Sequence, residues 1–157
     1  IHSARKRLWI ASPYFVPDET VVGALQLAAL RGVDVRILLP ERPDHTLVWL
    51  SSFAYLEELC GMGVKIHRYQ PGFLHQKVML VDDATSVVGT VNLDNRSFRL
   101  NFEITIAVLG SSFAQRMEAM FEADFARSEE VGVRSLEERP WWFELAAKAS
   151  RLMAPVQ

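Results

Sequence analysis

At 157 residues the chain is long enough for one well-filled domain and too short for two ordinary ones. Half of it is apolar, 23% is charged and the net charge is −2, a balance that argues against a nucleic-acid binder, whose surface usually carries a basic excess. The single cysteine, Cys60, excludes an intrachain disulfide, and no apolar run approaches the roughly 18 to 20 residues that cross a bilayer.

The chain opens on Ile1 rather than Met and runs into a strand within a few residues, as expected of a fragment whose preceding segment has been removed. Leu8–Phe15 (LWIASPYF) reads as a buried strand ended by Pro13 and Pro17. DETVVGALQLAALRG is expected to be a helix, with Asp18 as N-cap and Gly32 at its C-terminal stop. Val33–Pro40 is a second strand. PDHTLVWLSSFAYLEELCGMG is a second helix, opened by Asp44 and closed by Gly61 and Gly63; Cys60 on its apolar stretch is expected to be a buried structural thiol. Val64–Gln70 is a third strand, broken by Pro71 and Gly72.

This alternation suggests βαβ units and a mainly parallel, buried sheet. The rhythm then changes. HQKVMLVDD, TSVVGTVNL and FEITIAVLG are three strands with short connections, which favours antiparallel pairs. A helix is expected from Ser111 or Ser112 to about Ser128, with Phe113, Met117, Phe121 and Phe125 on one face. The remainder, RPWWFELAAKASRLMAPVQ, reads as a terminal helix begun near Pro140.

The polar residues inside these apolar runs carry the chemistry. On a strand, His75 and Lys77 share a face, while Asp82 has the opposite parity and lies at the far end. Thr90 and Asn92 share a face of the next strand. If the two strands pair through the Asp82–Thr85 turn, one surface presents an imidazole, an ammonium, an amide and a hydroxyl. Imidazole attacks phosphorus or shuttles a proton near neutral pH, and Lys and Asn donate to the equatorial oxygens of a five-coordinate phosphorus. Gly89 removes a side chain and would let a substrate approach the backbone. A metal set of His75, Asp82, Asp83 and Asp94 is the rival, disfavoured by the ammonium of Lys77 beside His75.

The string His75-x-Lys77, Asp82, Gly89, Thr90-x-Asn92 resembles the HKD signature of the phospholipase D superfamily. SPYFVPDE, GVDVRILLPERPDHTLV, YLEELCGMGVKIHRYQPGFLHQK and NLDNRSFRLNFE extend the likeness to the C-terminal half of bacterial cardiolipin synthases, over about residues 8–125. The resemblance implies a phospholipase D-like α/β fold, with a mixed, largely parallel sheet sandwiched by helices in one domain (core 8–130, tail 131–157). It also implies transfer of a phosphatidyl group through a phosphohistidine, without metal or other cofactor, at the bacterial cytoplasmic membrane, this stretch itself being soluble. By position, His75 is nucleophile or acid–base, Lys77 and Asn92 hold the phosphate, and Thr90 hydrogen-bonds the site. Asp82 belongs to the signature and is structural by its parity.

Such enzymes use two HKD motifs across a pseudo-twofold axis, and this chain has one: none of His2, His45 and His67 begins a second His-x-Lys. The other half is expected either upstream in a longer protein or from a second copy across a C2 interface. The expected partners are phosphatidylglycerol, a membrane surface and that second half, with no nucleic acid. A phospholipase D-type hydrolase or homodimeric nuclease uses the same chemistry, and a non-catalytic docking half is a third reading.

Glu103 either orients the His75 imidazole or pairs with Arg96 or Arg99. Those two arginines either grip a lipid phosphate or pair with acidic neighbours. His45 either lines the substrate path or caps a helix, and Asn95-Arg96-Ser97 matches a glycosylation acceptor that lies against the site. In the tail, Trp141, Leu145 and Leu152 face Lys148 and Arg151, a pattern for a bilayer interface or for packing on the fold.

Overall fold

A computed structural model describes residues 1–42, 44–132 and 140–151. Its strands are β1 (Arg7–Ala11), β2 (Phe15–Val16), β3 (Asp34–Pro40), β4 (Lys65–Tyr69), β5 (Val78–Val81), β6 (Thr85–Gly89), β7 (Leu93–Asp94), β8 (Thr105–Leu109) and β9 (Ser128–Val131). The helices are α1 (Glu19–Leu30), α2 (Thr46–Gly61), α3 (Asn95–Arg99), α4 (Ser111–Phe125) and α5 (Trp141–Arg151).

Seven strands form one sheet in the order β8-β6-β5-β1-β3-β4-β9. Its parallel part is confined to β1, β3 and β4, where α1 and α2 make the crossovers. The other neighbours are antiparallel, so the sheet is mixed but less parallel than the helix–strand rhythm suggests. The connection between β5 and β6 is too short for a crossover, which makes that pair antiparallel.

The α1 boundaries follow from local chemistry. The Asp18 carboxylate accepts the Val21 N–H at 3.0 Å, and Gly32 leaves the helix at φ 83°, where a side chain is strained. The start of α2 differs from expectation. Asp44 does not cap it, because its carboxylate accepts the Tyr14 hydroxyl at 2.6 Å. His45 takes the N-cap position without a side-chain bond to the helix.

The helices cover the sheet unevenly. Leu8, Ile10, Val35, Ile37, Leu39 and Ile66 pack under α1 and α2. On the other face Trp9, Ala11, Leu38 and Leu80 meet Ala114, Met117 and Phe121 of α4, with Phe113 and Phe125 at the margin of the expected stripe. Each fully buried Leu, Ile or Phe contributes roughly 1.5–3 kcal/mol. Cys60 is half-buried and burial pushes its thiol up to about 11, as suits an inert core thiol.

Three expected boundaries move. The Leu8–Phe15 strand breaks at Ser12–Tyr14, and β2 leaves the main sheet to pair with β7. The helix expected to reach Ser128 stops at Phe125; Ser128–Val131 becomes an edge strand whose Glu130 and Glu129 stand opposite His67 and Arg68. Two glutamates hide it from a hydrophobic reading. The short α3 was not expected; Asp94 caps it, accepting the Ser97 N–H at 2.6 Å.

The terminal helix lies where Pro140 predicts it. Phe143 of α5 packs edge-on against Trp49 and Phe53 of α2, at 6.0 and 5.1 Å between ring centres. The tail therefore rests on its own fold, with Trp142 and Leu145 exposed. The side chains of Trp141, Lys148 and Arg151, and Leu152 as a whole, fall outside the described residues.

Beyond β5 one face of the sheet is bare, while α4 packs on the other, where Ser86 is buried and Val88 meets the α4 cluster. By register, Met79, Val87 and Ala107 share one face, as do Val81, Thr85 and Leu109. Among the described residues no helix longer than α3 covers this face at β6 and β8. Leu109 is 79% exposed, and Leu100, Phe102, Ile104 and Ile106 are exposed along the same edge.

Candidate active site

The chain gathers its reactive groups where β5 begins and β6 ends. His75 and Lys77 do not lie on a strand as expected, since β5 starts at Val78. They occupy the extended segment leading in, which stays in register because the Gly89 N–H donates to the Lys77 carbonyl at 3.0 Å. His75 is exposed, its ring 5.5 Å from that of Phe73. The Lys77 ammonium donates to the His75 carbonyl at 2.9 Å. Burial lowers the pKa of Lys77, while the nearby carboxylates of Glu103, Asp44 and Asp94 pull it back up.

Thr90 and Asn92 likewise lie off the strand, because β6 ends at Gly89 and the chain turns toward β7. Thr90 is held by the segment entering β8. Its N–H donates to the Ile104 carbonyl at 2.9 Å, and its hydroxyl oxygen accepts the Ile104 N–H at 3.0 Å. The same hydroxyl donates to Glu103. Asn92 is half-buried, and its Oδ1 is buried with no hydrogen-bond partner among the described residues. A buried acceptor left unsatisfied is costly unless something else completes it.

Gly89 serves the fold rather than an approaching substrate. A Cβ there would stand 2.4 Å from the Ile104 carbonyl oxygen and 3.0 Å from the Thr105 Cα. Only hydrogen fits between β6 and β8 at that point.

Glu103 is not a partner of His75. It accepts from Thr90 and from the Asn101 amide at 3.2 Å, and these bonds, the Thr90 bond foremost, hold its carboxyl below the usual range. Nor does Glu103 pair with the arginines. Arg99 lies 3.7 Å from Asp18, and Arg96 is exposed on α3. Asn95 is 8% exposed and donates to the Val16 carbonyl, so the glycosylation-like triplet is part of the packing.

Asp82 sits at the other end of β5, five residues and roughly 17 Å of strand from Lys77. One carboxylate oxygen accepts the backbone N–H groups of Arg5, Lys6 and Arg7, at 3.1, 2.8 and 3.2 Å. It ties the N-terminal segment to the β5–β6 turn, where its own φ is 53°. The set His75, Asp82, Asp83 and Asp94 is thus dispersed: Asp83 pairs with Lys6 and Arg7 beside Asp82, and Asp94 caps α3. No group of three His, Cys, Asp or Glu residues suited to a metal occurs among the described residues.

Two groups beside the site escaped the sequence reading. Tyr14 and Asp44 come from separate loops, and strand parity carries no signal of their meeting. His45 joins them, its ring 5.9 Å from that of Tyr14. His67, by contrast, is buried against Phe125, so it supplies no second imidazole to this surface.

Comparison with known proteins fixes the family. The model of the cardiolipin synthase PLD-like domain matches residues 1–125. The chain belongs to that family. Cardiolipin synthase A of Pseudomonas putida strain GB-1 is 51% identical over 156 residues, which are 99% of this chain and 33% of the relative. The enzyme of the same name from Pseudomonas syringae pv. syringae strain B728a is 49% identical over the same span. This PLD-like domain therefore spans about a third of the length of the curated relatives it matches.

Solved structures agree on the fold. Phosphatidylserine synthase from Haemophilus influenzae Rd KW20 matches with a TM-score of 0.78 at 18% identity, covering 99% of this chain and 42% of the other. Nuc, a phospholipase D family member from Salmonella typhimurium, matches with a TM-score of 0.75 at 21% identity, covering 83% and 85%. A PLD-like domain thus makes up most of one chain and less than half of the other.

Proposed function

We propose that this PLD-like domain supplies one half of the active site of a cardiolipin synthase, condensing two phosphatidylglycerol molecules to cardiolipin and glycerol. The observation that carries the reading is the convergence of His75, Lys77, Thr90 and Asn92 at one end of the β5–β6 pair, in a chain half identical to proteins named for that product.

One imidazole attacks the phosphorus of the donor, forming an N–P bond as the bond to the glycerol headgroup oxygen breaks. The second imidazole gives that oxygen its proton. It then takes a proton from a hydroxyl of the second phosphatidylglycerol, whose oxygen bonds to phosphorus as the N–P bond breaks. Lys77 and Asn92 hold the non-bridging oxygens, the ammonium of one and the Nδ2 amide of the other donating to them. Arg96, exposed on the neighbouring α3, is available to a lipid phosphate at the membrane surface, whereas Arg99 faces Asp18.

The second imidazole comes from another copy of the fold, in the same polypeptide or in a second chain. The bare β6–β8 face supports this, because each face of a sheet with apolar residues needs a cover. So does the occurrence of the fold as less than half of a longer chain. Among the described residues no helix is long and apolar enough to cross a membrane.

The test is His75→Ala in the protein that carries this chain, assayed on phosphatidylglycerol with EDTA present. Loss of cardiolipin formation, with the circular dichroism spectrum retained, is expected; activity equal to the unmodified protein removes this site from the chemistry.

A further inference from the structure

His75 and Lys77 stand on a connection, residues 70–77, that links β4 to β5 and belongs to neither strand. Backbone hydrogen bonds hold its two ends. The Gln70 N–H donates to the Arg127 carbonyl at 3.2 Å, and the Lys77 carbonyl accepts the Gly89 N–H at 3.0 Å. Between these ends, side chains do the fastening.

Both fastenings lead to α4. Leu74 is buried in the cluster that Met117 and Phe121 of α4 form with Trp9 and Leu80. Two residues on, the Gln76 amide donates through Nε2 to Asp124 Oδ2 at 3.0 Å. Asp124 lies in the last turn of α4 and is 3% exposed. Its Oδ1 accepts the Arg127 guanidinium at 2.7 Å, so both oxygens are committed and the carboxylate is fixed in orientation. Arg127 is itself held: its guanidinium lies over the Tyr69 ring, 5.3 Å from the centroid, and its Nε donates to the Ala123 carbonyl at 3.2 Å. The C-terminal end of α4 therefore grips the connection at Tyr69 and Gln70 and again at Gln76, with His75 exposed beside the second grip.

Burial gives this contact weight. A hydrogen bond to an ionised acceptor is stronger than a neutral one, and leaving that acceptor buried and unpaired is costly. Gln76 stands between the two motif side chains, so whatever fixes Gln76 fixes the backbone that carries both. The His-x-Lys string leaves this middle position open, and residue spacing assigns it no role.

We propose that Asp124 is a positioning residue for phosphatidyl transfer. Acting through Gln76, and held by Arg127, it sets the place of the His75 imidazole relative to the phosphorus. The inference rests on the reading of His75 above. A misplacement of about 1 Å in a reacting group can cost a factor of about a hundred in rate, and here that group rides on a segment outside the sheet.

The test is made in the protein that carries this chain, with turnover on phosphatidylglycerol measured per folded molecule beside a melting curve. Gln76→Leu keeps the bulk of the side chain and removes the donor; its kcat is expected to fall about ten- to a hundredfold with KM unchanged. Asp124→Leu is expected to fall by a similar factor, and the double variant to be no slower than the slower single one, because both remove one contact. Asp124→Asn keeps an acceptor for Arg127 and can donate to the Oε1 of Gln76, which is buried without a partner among the described residues. It is expected to recover most of the kcat lost in Asp124→Leu; if Asp124→Leu does not fold, Gln76→Leu decides alone. Full kcat in Gln76→Leu, whatever its Tm, overturns the positioning role and assigns the pair to the fold. Losses that multiply in the double variant overturn the route through Gln76. His75→Ala in the same series separates the two readings. Activity in that variant removes the phosphatidyl-transfer reading and this inference with it, whereas an inactive His75→Ala beside a fully active Gln76→Leu removes this inference alone.

Discussion

The ammonium of Lys77 donates to the carbonyl of His75, 2.9 Å away. The two residues of the motif are thereby locked to one another through backbone rather than through the imidazole. Lys77 can release that carbonyl to a phosphate oxygen by rotating its side chain, without moving the segment. Lys77→Met is expected to lower turnover by about a hundredfold, the scale of losing one donor to a developing oxyanion. Its thermal stability should stay close to that of the unmodified protein, because the lost bond is local and partly exposed. Steady-state kinetics beside a melting curve separate these outcomes; a large fall in Tm with turnover preserved would assign Lys77 to the fold.

Glu103 acts on the site through charge. Burial lowers the Lys77 pKa and the Glu103 carboxylate works against it. Glu103→Gln keeps an acceptor for Thr90 and removes the charge, so the ammonium loses its proton at a lower pH than before. The alkaline limb of the kcat/KM profile is therefore expected to move to lower pH, with the acid limb unmoved. An unshifted alkaline limb would mean that Glu103 serves only the Thr90 turn.

Asp82 belongs to the same motif and is expected to fail a different test. Burial works to raise its pKa, but the N–H groups of Lys6, Arg5 and Arg7 outweigh it and hold the carboxyl below the usual range. A depressed folded pKa stabilises above the unfolded value, near 3.9, and that stability is lost as the pH falls through the folded value. Asp82→Asn should cost about 1–2 kcal/mol at pH 7, and much less below pH 3, as read by urea unfolding. Turnover of the folded fraction should be unchanged.

Gly89→Ala should destabilise by about 1–3 kcal/mol, the usual cost of overpacking. A methyl group there meets the Ile104 carbonyl oxygen at 2.4 Å, and neither β6 nor β8 can move without losing the ladder. Urea unfolding measures the loss, and hydrogen exchange should locate it at Val87 and Ala107. An unaffected stability would show that β8 shifts freely.

Much of this was legible from residue spacing, for identifiable reasons. Asp18 and Gly32 delimit α1 by capping chemistry that acts within a few residues, so the sequence suffices. The β5–β6 hairpin follows from its short turn, but His75 and Lys77 precede β5, so the strand parity expected of them does not apply. What spacing missed depends on long-range pairing. Thr90 and Asn92 leave the sheet because β7 pairs with β2, nearly 80 residues earlier, which no local pattern announces. Tyr14 captures Asp44 from a separate loop, and the expected α2 cap is lost to that contact. Glu129 and Glu130 disguise β9, since an edge strand needs no apolar face.

The bare outer strand also bears on how such a domain survives in a cell. β8 exposes apolar side chains and an unclaimed row of backbone donors and acceptors, the arrangement that templates aberrant strand addition. An edge of this kind, left uncovered, is an expected site of strand-to-strand aggregation. A partner that covered this edge would bring protection from misassembly in the same docking event that supplied the second imidazole proposed above.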